Sequence, residues 1–244
     1  MGLGRPDAGA IEVLGLSQPR DEVAIKARTA YVSPDLSFAS WGRVGRALDF
    51  VSGFYPDWDP ARCRRLLEEF GLQRADRITS LSFGSRIKLS LVMALSREAD
   101  LLLLDEPTVG LDVNARRQLF AEILAVMKRE GRTVVISSHE LADLERLADR
   151  VVVMARGAVV CEGRMDELIH RFAQVDALLT GAPPPLNGLR LIQRDQDRAR
   201  LLVDRSRLDP DALASPSVQV LGVTPLSLED LFVALASPVA AEAR

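Results

Sequence analysis

The stretch Leu101-Leu102-Leu103-Leu104-Asp105-Glu106-Pro107-Thr108-Val109-Gly110-Leu111-Asp112 runs four apolar residues directly into two adjacent carboxylates. A continuous apolar run bounded by polar residues reads as a parallel strand buried on both faces. The two acids then lie at its carboxyl end, where open α/β sheets bind ligands. An acid at such a place can hold Mg²⁺, usually through water, and its neighbour can poise an attacking water as a general base.

Upstream of this strand, Ile87, Leu91, Ala94 and Leu95 repeat at helical spacing, which predicts a helix from Ser82 to about Arg97 with Ser82 as its cap. Leu81-Ser82-Phe83-Gly84-Ser85 opens that helix. A serine hydroxyl and free amides at a helix N-terminus form an anion site, and glycine lets a phosphate approach the backbone. From Pro34 to about Ser80 the chain reads as an inserted helical subdomain, with helices over Val44–Phe54 and Ala61–Phe70. Before it, strands are expected at Ala10–Leu14 and Thr29–Ser33.

Downstream come a helix over about Ala115–Arg129, a strand Thr133–Ser137, a helix Glu140–Ala148, and a strand pair Val151–Met154 and Ala158–Cys161 across Arg156-Gly157. Strands alternating with helices imply a parallel sheet. His139 follows an apolar strand, again at a carboxyl end of the inferred sheet, so its imidazole can reach the same edge as Glu106. Beyond Ala173 the rhythm is lost, and Gly181-Ala182-Pro183-Pro184-Pro185 marks a linker or loop. A hairpin, Leu189–Gln193 with Ala199–Val203, a strand Val218–Val223 and a helix Leu226–Leu235 would then form a small appended unit.

The 244 residues, 48% hydrophobic, suffice for a sizeable core. A net charge of −3 argues against a dedicated nucleic-acid binder. Cys63 and Cys161 form no metal-binding spacing, which fits a reducing cytoplasm. No apolar run approaches the roughly 18 to 20 residues that span a bilayer, and the start has no signal-peptide pattern. Any membrane role must come through a partner.

These elements together resemble the nucleotide-binding domain of ATP-binding cassette (ABC) transporters over most of Ala10 to Phe172. Leu101–Glu106 is similar to the Walker B strand, Leu81–Ser85 to the signature sequence, Val109–Asp112 to the D-loop and His139 to the switch histidine. The segment Pro225–Phe232 resembles the tail of export-type members. The resemblance implies an α/β, P-loop NTPase-like parallel sheet core over 1–173, incomplete at its N-terminus, with the helical subdomain at about 34–98. A small α+β appendage over 174–244 follows.

It also implies a protein that works in homo- or heterodimers, with ATP and Mg²⁺ sandwiched between subunits. Such a protein sits in the cytoplasm at the inner face of the membrane, on an integral membrane transporter subunit. By position, Asp105 attends Mg²⁺, Glu106 activates water, His139 contacts the γ-phosphate, and Ser82, Gly84 and Ser85 close over the partner's ATP. Asp112 links the two sites. Asp35 stands where the family carries a Mg²⁺-sensing glutamine or acid. The aromatic segment Ser40–Asp59 is either the dock for the membrane subunit or the core of the helical subdomain.

The sequence departs from the family in three places. No GxxxxGK[ST] occurs, and none of Lys26, Lys88 and Lys128 follows a glycine. On the family pattern, roughly the first 40 to 50 residues of a typical domain are absent. The strand they contain is expected beside Leu101–Leu104, so that its loss exposes an apolar edge there. Phe83 and Ser85 replace the usual glycine and glutamine, and Pro34-Asp35 replaces the usual glutamine region. Two readings follow: an ATP-binding subunit with weak ATPase activity alone, or a non-catalytic regulatory or scaffold subunit paired with a complete ATPase. The head of a DNA-repair or translation ATPase fits less well, since long heptads and a second cassette are missing.

Overall fold

The computed structural model describes residues 2, 4–145, 147–180, 188–208, 213 and 217–236. The chain divides into two compact units, Met1–His139 and Glu140–Arg244. The expected linker at 181–185 and the start of the chain at residues 1 and 3 lie outside the described residues.

In the first unit, β1 (Ile11–Val13) and β2 (Leu16–Gln18) form an antiparallel hairpin. Leu14 and Gly15 both take positive φ at its turn, the geometry that suits a two-residue hairpin loop. A short helix, α1 (Glu22–Arg28), then leads into β3 (Thr29–Val32). The inserted region supplies α2 (Val44–Ser52) and α3 (Pro60–Glu69). Asp59 caps α3 by accepting the N–H groups of Ala61 and Arg62, both at 2.9 Å, and Pro60 occupies the first turn, where a missing N–H costs nothing.

After α4 (Phe83–Leu95) come β4 (Leu101–Asp105), α5 (Val113–Met127) and β5 (Thr133–Ser137). The parallel sheet has the order β3-β4-β5. Ile87, Leu91 and Leu95 of α4 are buried, as the helical period required, and join Val32, Leu102 and Leu104 of the sheet in one core.

The sheet order corrects one expectation. Both hydrogen-bonding edges of β4 are filled, by β3 on one side and β5 on the other. The position beside Leu101–Leu104 is therefore not vacant. Among the described residues, the sheet ends at β3 and β5, and β5 leaves Val135 51% exposed.

A buried ion network joins α3 to α5. Glu122 receives Arg62 at one oxygen and Arg65 at the other, each at 2.7 Å, and the Glu122 and Arg62 side chains are only 7% and 10% exposed. Burial pushes the Glu122 carboxyl up, and the hydrogen bonds from Arg65 and Arg62 outweigh it, leaving the group below its ordinary range.

The second unit opens with α6 (Leu141–Leu144), shorter than the expected Glu140–Ala148, although Glu145 and Ala148 still donate to Leu141 O and Leu144 O. The hairpin β6 (Arg150–Ala155) and β7 (Ala158–Arg164) turns at Arg156-Gly157, as read from the sequence. In this unit two elements were not anticipated, α7 (Met165–Arg171) and β8 (Phe172–Leu179), as in the first unit β2 and α1 were not. Strand β8 spans position 173, where the alternation of strands and helices had stopped being legible. It becomes an inner strand of the antiparallel sheet β11-β8-β10-β9, with β9 (Leu189–Asp195), β10 (Arg198–Asp204) and β11 (Val218–Pro225). Helix α8 (Leu228–Ala236) ends the described chain.

Asp204 accepts both Nε and Nη2 of Arg171, at 2.8 and 2.6 Å. That pairing, with bonds from Ser206, holds the carboxyl down to about 2 from its ordinary 3.8. A carboxyl lowered on folding stabilises above its unfolded pKa and loses that contribution as pH falls through the folded one. Acid titration monitored by circular dichroism is thus expected to show about 2 kcal/mol of stability disappearing between pH 4 and pH 2. The R171M variant should lack most of this step. Separately, E122A leaves two arginines facing an empty acceptor and is expected to cost about 3–5 kcal/mol in denaturant unfolding.

Candidate functional site

Parallel register brings three strand ends to one edge. Val32, Leu104 and Ile136 lie in one row, and Asp105 stands directly opposite Ser137. Ser137 then knits the edge together. Its hydroxyl donates to Asp105 Oδ1 at 2.6 Å, while its Oγ and its carbonyl O both accept the Glu106 N–H at 3.1 Å.

Glu106 takes the left-handed conformation, with φ 45°, which non-glycine residues rarely adopt and which concentrates at functional sites. The conformation turns the chain out of the sheet directly after β4. His139 Nδ1 lies 2.8 Å from Glu106 Oε2, so the ring N–H donates to the carboxylate. The His139 and Glu106 side chains are 69% and 28% exposed, open enough to meet a ligand. Asp105, Glu106 and His139 are thus brought together as the sequence suggested.

The oxygen donors of Asp105 and Ser137 suit a hard cation such as Mg²⁺. Among the described residues no group of three or more His, Cys, Asp or Glu could hold a metal ion by itself. A cation at Asp105 must therefore draw its remaining ligands from water or from phosphate oxygens, the usual situation for Mg²⁺.

The second cluster lies at the start of α4. Ser82 caps the helix: its Oγ accepts the Ser85 N–H at 3.1 Å and bonds the Ser85 hydroxyl at 3.0 Å. The helix opens with four backbone N–H groups that have no intrahelical acceptor, and one of these, at Ser85, is met by the cap. Those amides and the helix dipole favour an anion. Gly84 is buried, and a Cβ there would land on the carbonyl oxygen of Gly110, well inside van der Waals contact. Packing against the turn after β4 thus demands glycine at 84, a reason additional to any approach by phosphate.

Asp112 lies just beyond that turn and has two tasks. One oxygen caps α5 through the Ala115 N–H at 2.9 Å, and the other receives Lys88 Nζ at 2.8 Å. The Lys88 bond first, and the cap second, hold the Asp112 carboxyl at about 2. Ser82, Gly84, Ser85 and Asp112 accordingly form one connected seam. Asp35 is exposed beyond β3, with its N–H on Ser33 Oγ at 3.3 Å, and it makes no contact that joins it to Asp105 or Glu106.

Sequence reasoning missed two participants. Lys88 was recoverable, because it lies four residues after Gly84 and so shares its helix face. Ser137 was not, since its role depends on which strand pairs with β4 and in what register.

The aromatic residues of Ser40–Asp59 divide between two environments. Trp41 and Trp58 pack against the core. Phe50 lies tilted against Trp41 with centroids 3.9 Å apart and Phe54 meets Phe50 edge-on at 4.8 Å, yet Phe50 and Phe54 stay 48% and 64% exposed.

Comparison with known proteins agrees with this geometry. Residues 17–142 match the family model described as "AAA domain, putative AbiEii toxin, Type IV TA system". The chain is 32% identical to the Nod factor export ATP-binding protein I of Paraburkholderia xenovorans (strain LB400), over 87% of this chain and 69% of that protein. It is 30% identical to the protein of the same name from Mesorhizobium japonicum, over 96% of this chain and 72% of the relative. A solved structure titled "Structure of ATP binding subunit of ABC transporter" superposes with a TM-score of 0.63 at 26% identity, covering 69% of this chain and 72% of the other.

The contact between Gly84 and Gly110 gives a direct check. Since a backbone carbonyl cannot yield as a side chain can, G84A is expected to cost about 1–3 kcal/mol by overpacking. Denaturant unfolding measures it, and an unchanged midpoint would remove this seam from the description.

Proposed function

The chain belongs to the ATP-binding proteins of ABC transporters, and from that membership we propose that it is the cytoplasmic subunit that couples ATP to movement of a separate integral membrane subunit. One observation carries the reading: Glu106 is held at a strand's carboxyl end by Ser137 on its backbone and His139 on its carboxylate. A general base needs such a fixed carboxylate within reach of water.

Bound ATP with Mg²⁺ supplies the phosphoanhydride whose hydrolysis provides the driving force. Asp105, oriented by Ser137, offers an anionic oxygen to the cation. Glu106 accepts a proton from the attacking water. His139, through its bond to Glu106, holds that carboxylate in place and presents its other ring nitrogen to the phosphate side. The N-terminus of α4, with Ser82 and Ser85, faces the phosphates of an ATP carried by a second ATP-binding subunit, homologous or identical. Asp112 links that face to the carboxylates, and Asp35 is a weaker candidate near the cation.

Phe50 and Phe54 offer an exposed apolar surface for the membrane subunit. Among the described residues no helix is long and apolar enough to cross a membrane. On this reading the chain works at the inner face, held by that subunit. The export direction is supported by the two relatives, both Nod factor export ATP-binding proteins, and by the tail Pro225–Phe232; the cargo is left to the partner.

The sequence contains no GxxxxGK[ST], the element whose amides and lysine grip the β- and γ-phosphates. For that reason little ATP hydrolysis is expected from this chain by itself, and a non-catalytic subunit that lends Ser82 and Gly84 to a complete ATPase is the second reading. An ATPase assay on the purified chain, alone and with a second ATP-binding subunit, separates the two. If Glu106 is the base, E106Q lowers the rate of the mixture by about 10²- to 10⁴-fold. If the chain only lends α4, that substitution leaves the rate unchanged while S82A lowers it.

A further inference from the structure

Lysine is scarce in this chain, occurring only as Lys26, Lys88 and Lys128. Lys88 is the one with a place in the site's architecture, though no step of the proposed reaction uses it. Its side chain is 17% exposed and its Nζ lies 2.8 Å from Asp112 Oδ2, on a carboxylate that also caps α5. A single side chain thus anchors the start of one helix and clasps another.

Gly84 and Lys88 are four residues apart and lie on one face of α4. That face meets the Val109–Asp112 turn at two points. The first is backbone against backbone, Gly84 on Gly110, where Gly110 takes φ +74° and a Cβ would meet the Phe83 ring at 2.7 Å. The second, one turn further along, is the Lys88–Asp112 ion pair. One contact would leave the first turn of α4 free to pivot about Gly84. Two contacts along a face fix its rotation as well.

We propose that Lys88 is a positioning residue, whose bond to Asp112 makes the N-terminus of α4 and the turn leading from Glu106 to α5 move as one piece. An anion arriving at Ser82–Ser85 is then felt at Gly110–Asp112, on the path from the carboxylates of β4 to α5. The inference rests on the reading of α4 as phosphate-facing. An ion pair with an exposed partner contributes little to stability, so the fold does not depend on it and variants at 88 keep the surrounding core.

The test is a titration with Mg–ATP of the ¹⁵N-labelled full chain mixed with an unlabelled second ATP-binding subunit, followed by ¹H–¹⁵N spectra. Amides of Ser82–Ser85 report arrival of the ligand, and amides of Gly110–Asp112 report transmission. In the wild type both sets are expected to move with a shared midpoint. In K88M the Ser82–Ser85 signals still move while the response at Gly110–Asp112 falls severalfold, and K88R restores it. Responses at Gly110–Asp112 in K88M that match the wild type would overturn the inference and leave the proposed function standing. If neither set moves in the wild type, the phosphate-facing reading of α4 fails and this inference fails with it.

Discussion

Asp105 stands opposite Ser137 because β4 and β5 run parallel and in register, and a slip of one residue would turn every side chain of either strand to the other face. That register is what gives the two carboxylates different surroundings. Asp105, still within the ladder, receives the Ser137 hydroxyl. Glu106, one residue on, gives its N–H to the same serine and leaves the sheet through a left-handed backbone. Adjacent acids in sequence thereby acquire different partners, the Ser137 hydroxyl for the Asp105 carboxylate and the His139 ring for that of Glu106.

A second constraint is backbone contact. The start of α4 and the turn after β4 approach so closely at Gly84 and Gly110 that neither position has room for a side chain. The anion-favouring end of α4 is therefore set relative to the carboxylates by the main chain, with the Lys88–Asp112 pair adding orientation. Further along, Glu122 and its two arginines tie α3 to α5 inside the same unit, where removal of one partner would strand a buried charge.

Much of this was legible in the sequence because the signals are local. Four leucines before two acids announced a buried strand, and Ser82 with the 3.6-residue apolar period announced α4. What escaped was non-local. The neighbours of β4 could not be read from any window, and the expected gap beside Leu101–Leu104 proved to be filled by β3 and β5. The short α1 gave too few turns for a period to show. Strand β8, whose residues alternate between buried and half-buried from Ala173 on, was hidden because its partners β10 and β11 lie far along the chain.

The central claim is that the carboxyl edge of the β3-β4-β5 sheet receives a phosphate-bound divalent cation at Asp105. Paramagnetic broadening of amide signals by Mn–ATP tests it most directly, since broadening falls off steeply with distance from the ion. The account predicts that Asp105, Glu106, Ser137 and His139 broaden first and that D105N abolishes the pattern. Broadening centred elsewhere, for instance around Asp204 in the second unit, or a pattern in D105N identical to the wild type, would contradict it.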